Sequence, residues 1–250
     1  MHPDVIDNLH DNVFYHGTYW HDVEPLFTEG FQERIVFDDG GIYRRWGSLG
    51  YGAYVTCDLA TALFFRRSGV ILRMRLAPGT RIVACGPRPD GRHIDSLKRE
   101  FGTAIVRRPP WKVLPRNKHL TLHEAITLVR YHHERWMSSV SRHEGRREHA
   151  HWQLMMHMKP ILARYGIDGF GHPANDVGIV VFGHDRVVPV GLVTPDQVDA
   201  AMLERARAAE GNEAFEEWLR SCRTPEFRAL AAQVAARAGM DGRSAAEGRT

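Results

Sequence analysis

The most regular alternation of hydrophobic and polar positions runs through residues 70–76, where Arg73 and Arg75 stand between apolar residues. A period of two predicts a β-strand with one buried face, and Pro78-Gly79 is placed to end it in a turn. The apolar members of the alternation are Val70, Leu72, Met74 and Leu76. Further short strands are predicted over residues 13–18, 81–84, 179–182 and 187–193.

Apolar residues at helical spacing predict α-helices elsewhere in the chain. Residues 23–27 carry such a pattern, and Gly30 is placed to end that helix. Thr121-x-x-Glu124 has the form of a capping box, in which each side chain bonds the backbone N–H of the other residue. Thr194 and Thr224 each precede a proline, an order typical of a helix N-cap and first turn. Two more helices are predicted over residues 58–66 and 148–165.

The composition limits the class of protein. At 250 residues with 43% hydrophobic content, the chain is long enough to bury a large core. No apolar run approaches the roughly 18 residues that a bilayer span needs, and the N-terminus lacks the basic and apolar regions of a signal peptide. Cys57, Cys85 and Cys222 have no paired spacing, which favours reduced thiols. We therefore expect a cytoplasmic protein without a membrane partner, in the cell that makes it or in a target cell that receives it.

Charge is unevenly distributed along the chain. Residues 98–164 contain fourteen basic residues against five acidic ones, although the whole chain has a net charge of only +3. Tryptophan and tyrosine residues lie in the same segment, so it combines charge for phosphates with rings for bases. A nucleic-acid surface is one interpretation, and solvated basic helices with core tryptophans are the other. The candidate nucleic-acid contacts are Arg107, Arg108, Trp111, Lys112 and Arg116.

Two glycine-bearing motifs give the strongest indication of a ligand site. Phe14-Tyr15-His16-Gly17-Thr18 and Gly50-Tyr51-Gly52-Ala53-Tyr54-Val55-Thr56 are β-rich runs with a polar or aromatic side chain beside a glycine. Backbone without a Cβ atom can approach a planar ligand closely. Together the motifs predict a nucleotide cleft that includes His16 and Tyr54.

The order of these motifs, with a helix-like run behind the second, resembles the ADP-ribosyltransferase fold in the His-Tyr-Glu branch typified by diphtheria toxin and the poly(ADP-ribose) polymerases. The resemblance implies that NAD is the substrate: His16 bonds the adenosine ribose, and the Gly17 backbone holds the carboxamide. Tyr54 stacks on the nicotinamide, and Phe65, or Phe64 in a helix set one residue differently, covers its other face. Gripping the leaving ring exposes C1′ to a nucleophile. The implied NAD contacts are His16, Gly17, Thr18, Tyr54 and Phe65.

A third motif extends the resemblance to the closing part of bacterial and phage domains of this fold. Gly166-Ile167-Asp168-Gly169-Phe170 and Ile179-Val180-Val181-Phe182 are similar to a Gly-Tyr-Asp-Gly strand followed by Glu-Tyr-Val-Val-Phe. Aligned on Val-Val-Phe, the position of the catalytic Glu holds Gly178. Asp176 is two residues earlier, on the same strand face, and is predicted to deliver the carboxylate through a bulge. Its alternative role is that of a turn residue, and Asn175 is a weaker substitute.

Other cofactor signatures are weak. The histidines of residues 143–157 include no His-Glu-x-x-His arrangement, so no metal is expected. Gly50-x-Gly52 lacks the third glycine and the βαβ pattern of a Rossmann turn.

The resemblance covers residues 13–84 and 165–193. It implies an α+β catalytic domain over residues 10–193, with a split pair of small sheets and the NAD cleft between them. The rest of the predicted organisation is a basic helical insertion at about 92–165, a helical C-terminal appendage at 194–238 and a disordered tail at 239–250.

The activity implied by the resemblance is mono-ADP-ribosyl transfer from NAD to a macromolecule, with RNA or DNA slightly favoured over protein. The setting would be that of a bacterial or phage toxin, effector or defence enzyme. Two alternatives stay open. One is NAD hydrolysis or RNA 2′-phosphate transfer; the latter would need an arginine-rich phosphate pocket, with loose candidates at Arg44, Arg45, Arg73 and Arg75. The other is a catalytically inactive module that binds ADP-ribose, NAD or RNA, which the glycine at 178 favours.

Overall fold

The computed structural model of the chain has two β-sheets, one mixed and one antiparallel, combined with α-helices. The α+β class predicted from the sequence is therefore confirmed. The structure describes residues 4–31, 52–65, 69–84, 89–106, 119–140, 159–171, 178–209 and 211–247.

The elements of the described residues follow one another in mixed order. The strands are β1 (Val5–Ile6), β2 (Phe14–Thr18), β3 (Ala53–Val55), β4 (Val70–Leu76), β5 (Ile82–Ala84), β6 (Gly169–Gly171), β7 (Ile179–Val181) and β8 (Val187–Leu192). The helices are α1 (Val23–Glu29), α2 (Leu59–Phe65), α3 (Gly91–Phe101), α4 (Leu122–Val140), α5 (residues 159–163), α6 (Ala200–Ala209), α7 (Gly211–Ser221) and α8 (Pro225–Glu247).

The two glycine-bearing motifs lie in different sheets. The larger sheet, sheet A, has the strand order β1-β5-β6-β7-β3, and the smaller, sheet B, has the order β2-β4-β8. His16 is thus on an edge strand of sheet B, and Tyr54 is on the edge strand β3 of sheet A. Only the pairing of β5 with β6 is parallel among the described strands.

Three hydrophobic clusters show how the layers are stacked. The first contains residues of both sheets, among them Phe14 of β2 and Val181 of β7. A second covers the other face of sheet A, where Phe170 packs with apolar residues of α3 and α4. The third covers the outer face of sheet B, where Tyr15 packs with α2 and with Trp218 of α7. The order of layers is therefore helices, sheet A, sheet B, helices.

Three helix ends that the sequence predicts are present in the structure. The capping box is present: Thr121 N–H donates to Glu124 Oε2 at 2.6 Å, and Glu124 N–H donates to Thr121 Oγ1 at 3.3 Å. Gly30 ends α1 with a φ of +70°, a conformation that favours glycine. Thr224 caps α8 by accepting from the N–H of Phe227 at 3.2 Å. These three predictions are confirmed.

The predicted N-cap at Thr194 is present, on a shorter element than an α-helix. Thr194 is the N-cap residue of a 3-10 turn over Pro195–Gln197, with Pro195 as its first residue. Helix α6 has a separate cap, Asp199, whose Oδ1 accepts from the N–H groups of Ala201 and Met202 at 2.7 and 3.1 Å. Aspartate is a preferred N-cap residue because its side chain reaches the first-turn N–H groups.

The helices outside the predicted catalytic core are integrated into the packing. In the 92–165 insertion, α3 and α4 bury one face on sheet A. At the C-terminus, Trp218 of α7 has no exposed surface, and Phe227 of α8 is 1% exposed. Helix α8 continues to Glu247, beyond the predicted end of the appendage at 238.

Candidate functional site

The two sheets meet at the strands that carry the first two motifs. Tyr15 N–H donates to the backbone oxygen of Thr56 at 2.7 Å, and Thr56 N–H donates to the backbone oxygen of Tyr15 at 3.0 Å. This pair of bonds is a β-bridge between an edge of sheet B and the end of β3. We call this contact, with the neighbouring His16, Tyr54 and Gly178, the join. The structure thus brings together two motifs that are separated by more than 30 residues in the sequence.

His16 crosses the join with its side chain. It is half-buried, and its Nδ1 atom lies 2.7 Å from the backbone oxygen of Tyr54. Phe31 meets the His16 ring edge-on, with ring centroids 5.0 Å apart and an angle of 84° between the ring planes. Among the described residues, Nε2 of His16 has no hydrogen-bond partner.

The protonation state of His16 follows from these contacts. Burial lowers its pKa below the ordinary value, although the Tyr54 carbonyl and the Asp22 carboxylate act in the opposite direction. The neutral ring therefore dominates at neutral pH. A carbonyl oxygen only accepts, so we assign the proton to Nδ1, which donates to Tyr54. Nε2 is then a hydrogen-bond acceptor without a described donor.

The backbone oxygen of Tyr54 contacts His16, whereas the Tyr54 ring lies on a different surface. The residue pairs with Val180 of β7, and its half-buried ring packs against the cluster under α3 and α4. Gly178 directly precedes β7 and has a φ of +73°, so it does not follow the strand alternation. The position that the resemblance gives to the catalytic Glu therefore lies beside Val55 and Thr56, the residues that follow Tyr54.

Gly178 has no room for a side chain. Its φ is +73°, and a Cβ atom would lie 2.4 Å from the backbone oxygen of Val55 and 3.0 Å from Cβ of Thr56. A carboxylate at position 178 is incompatible with this pairing of β3 and β7. Asp176 and Asn175, the predicted substitutes, lie outside the described residues.

The remaining predicted NAD contacts differ in accessibility. Gly17 is half-buried and pairs with Ile71 of β4, whereas Thr18 is 7% exposed. Phe65 is the last residue of α2, and its side chain is outside the described part of the chain. Its predicted fallback, Phe64, is 65% exposed.

Asp168 of the third motif is part of a separate polar cluster. Its Oδ2 accepts from the N–H of Arg81 at 2.9 Å, and its Oδ1 lies 3.4 Å from Nε of Arg186. Its backbone bonds Arg81 and Phe182, at 2.7 and 2.6 Å. Arg81 also donates from Nη1 to the backbone oxygen of Tyr165 at 2.9 Å. We call this cluster the brace, because it links β5, the start of β6 and the turn before β8.

Two other reactive groups near the join are unsuited to nucleophilic chemistry at neutral pH. Burial raises the pKa of the Cys57 thiol, with a smaller opposing effect from a bond to Asn12. Burial likewise raises the pKa of Tyr15, although Arg73 opposes this effect. Both groups stay protonated, and the thiolate is the form of cysteine that attacks.

Sequence reasoning missed two contributors to the site. Phe31 covers His16, and Asp22 affects the pKa of its imidazole. Both belong to the segment that leaves β2. The only signal for Phe31 was an aromatic residue directly after the predicted helix stop at Gly30.

The predicted nucleic-acid contacts Arg107, Arg108, Trp111, Lys112 and Arg116 lie outside the described residues, as do Arg44 and Arg45. In the part of the chain that is described, His, Cys, Asp and Glu side chains do not form a group of three or more suited to a metal ion. No helix within the described ranges combines the length and apolar content that a membrane crossing requires.

Comparison of the chain with protein-family models, with curated proteins and with solved structures finds no match.

Proposed function

We propose that this chain binds NAD at the join and transfers its ADP-ribose to a macromolecule. The observation that carries the proposal is Nε2 of His16, which has no hydrogen-bond partner among the described residues. Its imidazole is neutral and held in one orientation by Tyr54, so it presents an acceptor to a hydroxyl group. A ribose hydroxyl is a donor of the right kind, and in the family that the sequence resembles this histidine bonds a ribose.

The placement of the motifs supports the same proposal. Two small sheets carry His16 and Tyr54 on adjoining edge strands. Position 178, where the resemblance places the acidic residue, lies beside Val55 and Thr56, which directly follow Tyr54. An ADP-ribosyltransferase-like arrangement needs these three positions side by side, because the nicotinamide ring and its ribose are gripped together. In this proposal NAD crosses the join, because the Tyr54 ring that forms one wall of the nicotinamide site packs on a different surface from the one on which Phe31 meets His16.

The chemistry further requires a carboxylate near the nicotinamide ribose. Breaking the bond between nicotinamide and C1′ develops positive charge on the ribose, and a nearby carboxylate stabilises it. Gly178 cannot supply that group. We propose that Asp176, which directly precedes the β7 region in sequence, supplies it. Its removal would then affect turnover more than NAD affinity.

A second function is favoured by the same glycine. If no carboxylate reaches the join, the chain would hold NAD or ADP-ribose without cleaving it. The steric restriction at Gly178 is the specific observation behind this alternative. The two functions share the His16 contact and differ in nicotinamide release.

For the acceptor, we propose a nucleic acid on the sequence evidence of the basic segment. Arg107, Arg108, Lys112 and Arg116 supply positive charge, and Trp111 supplies a ring for base stacking. A steep loss of RNA or DNA binding with added salt would accompany such a surface.

The test measures NAD binding by calorimetry and nicotinamide release by chromatography on the full chain. We expect His16→Ala to weaken NAD binding by about 10-fold or more, because a buried acceptor bond is lost. His10→Ala is the matched control: His10 is 46% exposed, and its Nε2 lies 3.4 Å from Asp11, away from the join. Asp176→Asn should lower the rate of release on the order of 10²–10³-fold with little change in NAD affinity.

The outcomes separate the candidate functions. Wild-type binding and release by folded His16→Ala would refute the site. NAD binding by the wild type without nicotinamide release would support the inactive module instead. Release that persists in Asp176→Asn would assign the carboxylate role elsewhere. Digestion of labelled product with nuclease or protease then identifies the acceptor.

A further inference from the structure

A short segment connects the His16 strand to the residue that covers His16. We call residues 19–31 the strap. It contains a 3-10 turn over Trp20–Asp22, then α1, then Gly30 and Phe31. It leaves the end of β2 and returns Phe31 to the His16 ring.

The strap packs on the cluster between the two sheets, to which Phe227 of α8 also belongs. Val23 is the buried residue of α1, and the 3-10 turn has none. A seven-residue helix is too short to be stable by itself in water, so its position must come from packing against other elements. Whatever holds the strap therefore also sets where Phe31 lies against His16.

The C-terminal helix α8 holds the strap at two points. Phe227, which is 1% exposed, meets the ring of Trp20 edge-on, with centroids 6.0 Å apart. Further along α8, Nη2 of Arg237 lies 3.2 Å from Oε1 of Glu24. Phe227 belongs to the cluster between the two sheets, so α8 is itself fixed to the core. One anchor is in the turn and the other is in α1.

We propose that α8 is a positioning element for the NAD site, with Trp20 and Glu24 as positioning residues that act through Phe31 on His16. The inference rests on the function proposed above and assigns a role to the C-terminal helix within it. Helix α8 keeps the strap closed over the imidazole. This keeps water from the ring and keeps Nε2 in the orientation that receives the ribose hydroxyl.

The first experiment is a charge-exchange cycle on the full chain. Glu24→Arg and Arg237→Glu should each raise the Kd for NAD about two- to fivefold, since an exposed pair contributes modestly. The double variant restores the pair and should return the Kd to within about twofold of wild type. Arg228→Glu is the matched control, because this exposed residue of α8 has no side-chain contact with the strap among the described residues.

A second experiment reads His16 without NAD. The NMR signals of the His16 ring are identified as those that the wild type has and His16→Ala lacks. The change of these signals with pH gives the pKa of His16. In Trp20→Ala the loosened strap admits water, so the pKa of His16 should rise toward its ordinary value of about 6.5. Trp20→Phe keeps an aromatic partner for Phe227 and should keep the wild-type pKa. Two groups oppose the effect of burial on His16: the Tyr54 carbonyl, which lies outside the strap, and the Asp22 carboxylate, which lies in it. Movement of Asp22 away from His16 would lower the pKa, but burial is the larger cause, so the net change expected in Trp20→Ala is still a rise.

The outcomes distinguish failure of the proposed NAD site from failure of the positioning role of α8. If the wild type binds no NAD, the proposed function falls, and the titration still tests the positioning by α8. If Trp20→Ala lowers Tm but leaves the pKa of His16 unchanged, Trp20 is only structural and the inference is wrong. Single charge variants that bind NAD as the wild type does, or a double variant that is no better than either single one, would also overturn it.

Discussion

The join and the brace are two polar clusters that connect strands, and they differ in how completely their groups are bonded. In the brace, Asp168 accepts from the backbone N–H of Arg81 and forms an ion pair with Arg186, and its own backbone is bonded on both sides. At the join, His16 bonds the Tyr54 carbonyl through one ring nitrogen and has no described partner at the other. Both clusters are partly buried and both cross between elements.

The number of bonded polar groups distinguishes a cluster with a structural role from a candidate ligand site. Buried polar groups in folded proteins are nearly always hydrogen-bonded, so a saturated cluster such as the brace is explained by the fold alone. The hydrogen bonds of the described residues account for Nδ1 of His16 but not for its Nε2. The sequence motif around Asp168 resembles a family signature as closely as the His16 motif does, yet the contacts give it a structural role.

The largest expected effect is at Gly178, where the join depends on close backbone contact. Gly178→Ala should lower the free energy of unfolding by about 3 kcal/mol or more, because the new Cβ meets the Val55 carbonyl and the φ of +73° is strained for alanine. Gly191→Ala is the control, since a Cβ there meets nothing within 4 Å. Urea denaturation measures both. A stable Gly178→Ala protein would show that β3 and β7 are not paired in this way.

The next effect tests whether the brace is only structural. Asp168→Ala removes bonds to Arg81 and Arg186 and should lower the free energy of unfolding by about 2–3 kcal/mol. NAD affinity, measured where the variant is folded, should stay at the wild-type value. Asp95→Ala, which removes an exposed pair with Lys98, should change stability by less than about 0.5 kcal/mol. Lost NAD binding by folded Asp168→Ala would place the brace in the site.

The smallest effect is the pH dependence that His16 gives to stability. Its pKa is lowered in the folded protein, so the unfolded chain takes up the proton first as the pH falls. The stability contributed by the neutral ring is complete above about pH 6.5 and is lost as the pH falls toward the folded pKa. The wild type should therefore lose more stability than His16→Gln between about pH 6.5 and about pH 5. Parallel denaturation curves for the two proteins would contradict the assigned neutral state.

Local signals in the sequence predicted local structure well. The alternation of β4, the capping box at Thr121 and Glu124, and the stop at Gly30 are confirmed, because each depends on neighbours in the chain. The α+β class followed from the mixture of such segments. Likewise, the pairing of the two motifs anticipated that His16 and Tyr54 would lie together.

Features that depend on contacts between residues far apart in the chain could not be predicted from the sequence. Strand β1 has only two residues and exists because Val5 pairs with Val83 of β5. The contact of Phe31 with His16 joins residues that are separated by a whole helix in the sequence, and the steric restriction at Gly178 depends on Val55. The resemblance predicted that position 178 is where a Glu would stand, and the structure shows that this position has no room for a side chain.

Strand pairing at the join also determines when during synthesis the site is completed. Ala53 of β3 pairs with Val181 of β7, and Leu72 of β4 pairs with Leu192 of β8. A chain leaving the ribosome therefore exposes His16 and Tyr54 long before their sheets have all their strands, and α8 emerges later still. Such distant pairings close slowly. The nascent chain thus has both motifs but no assembled site until its C-terminal quarter is made.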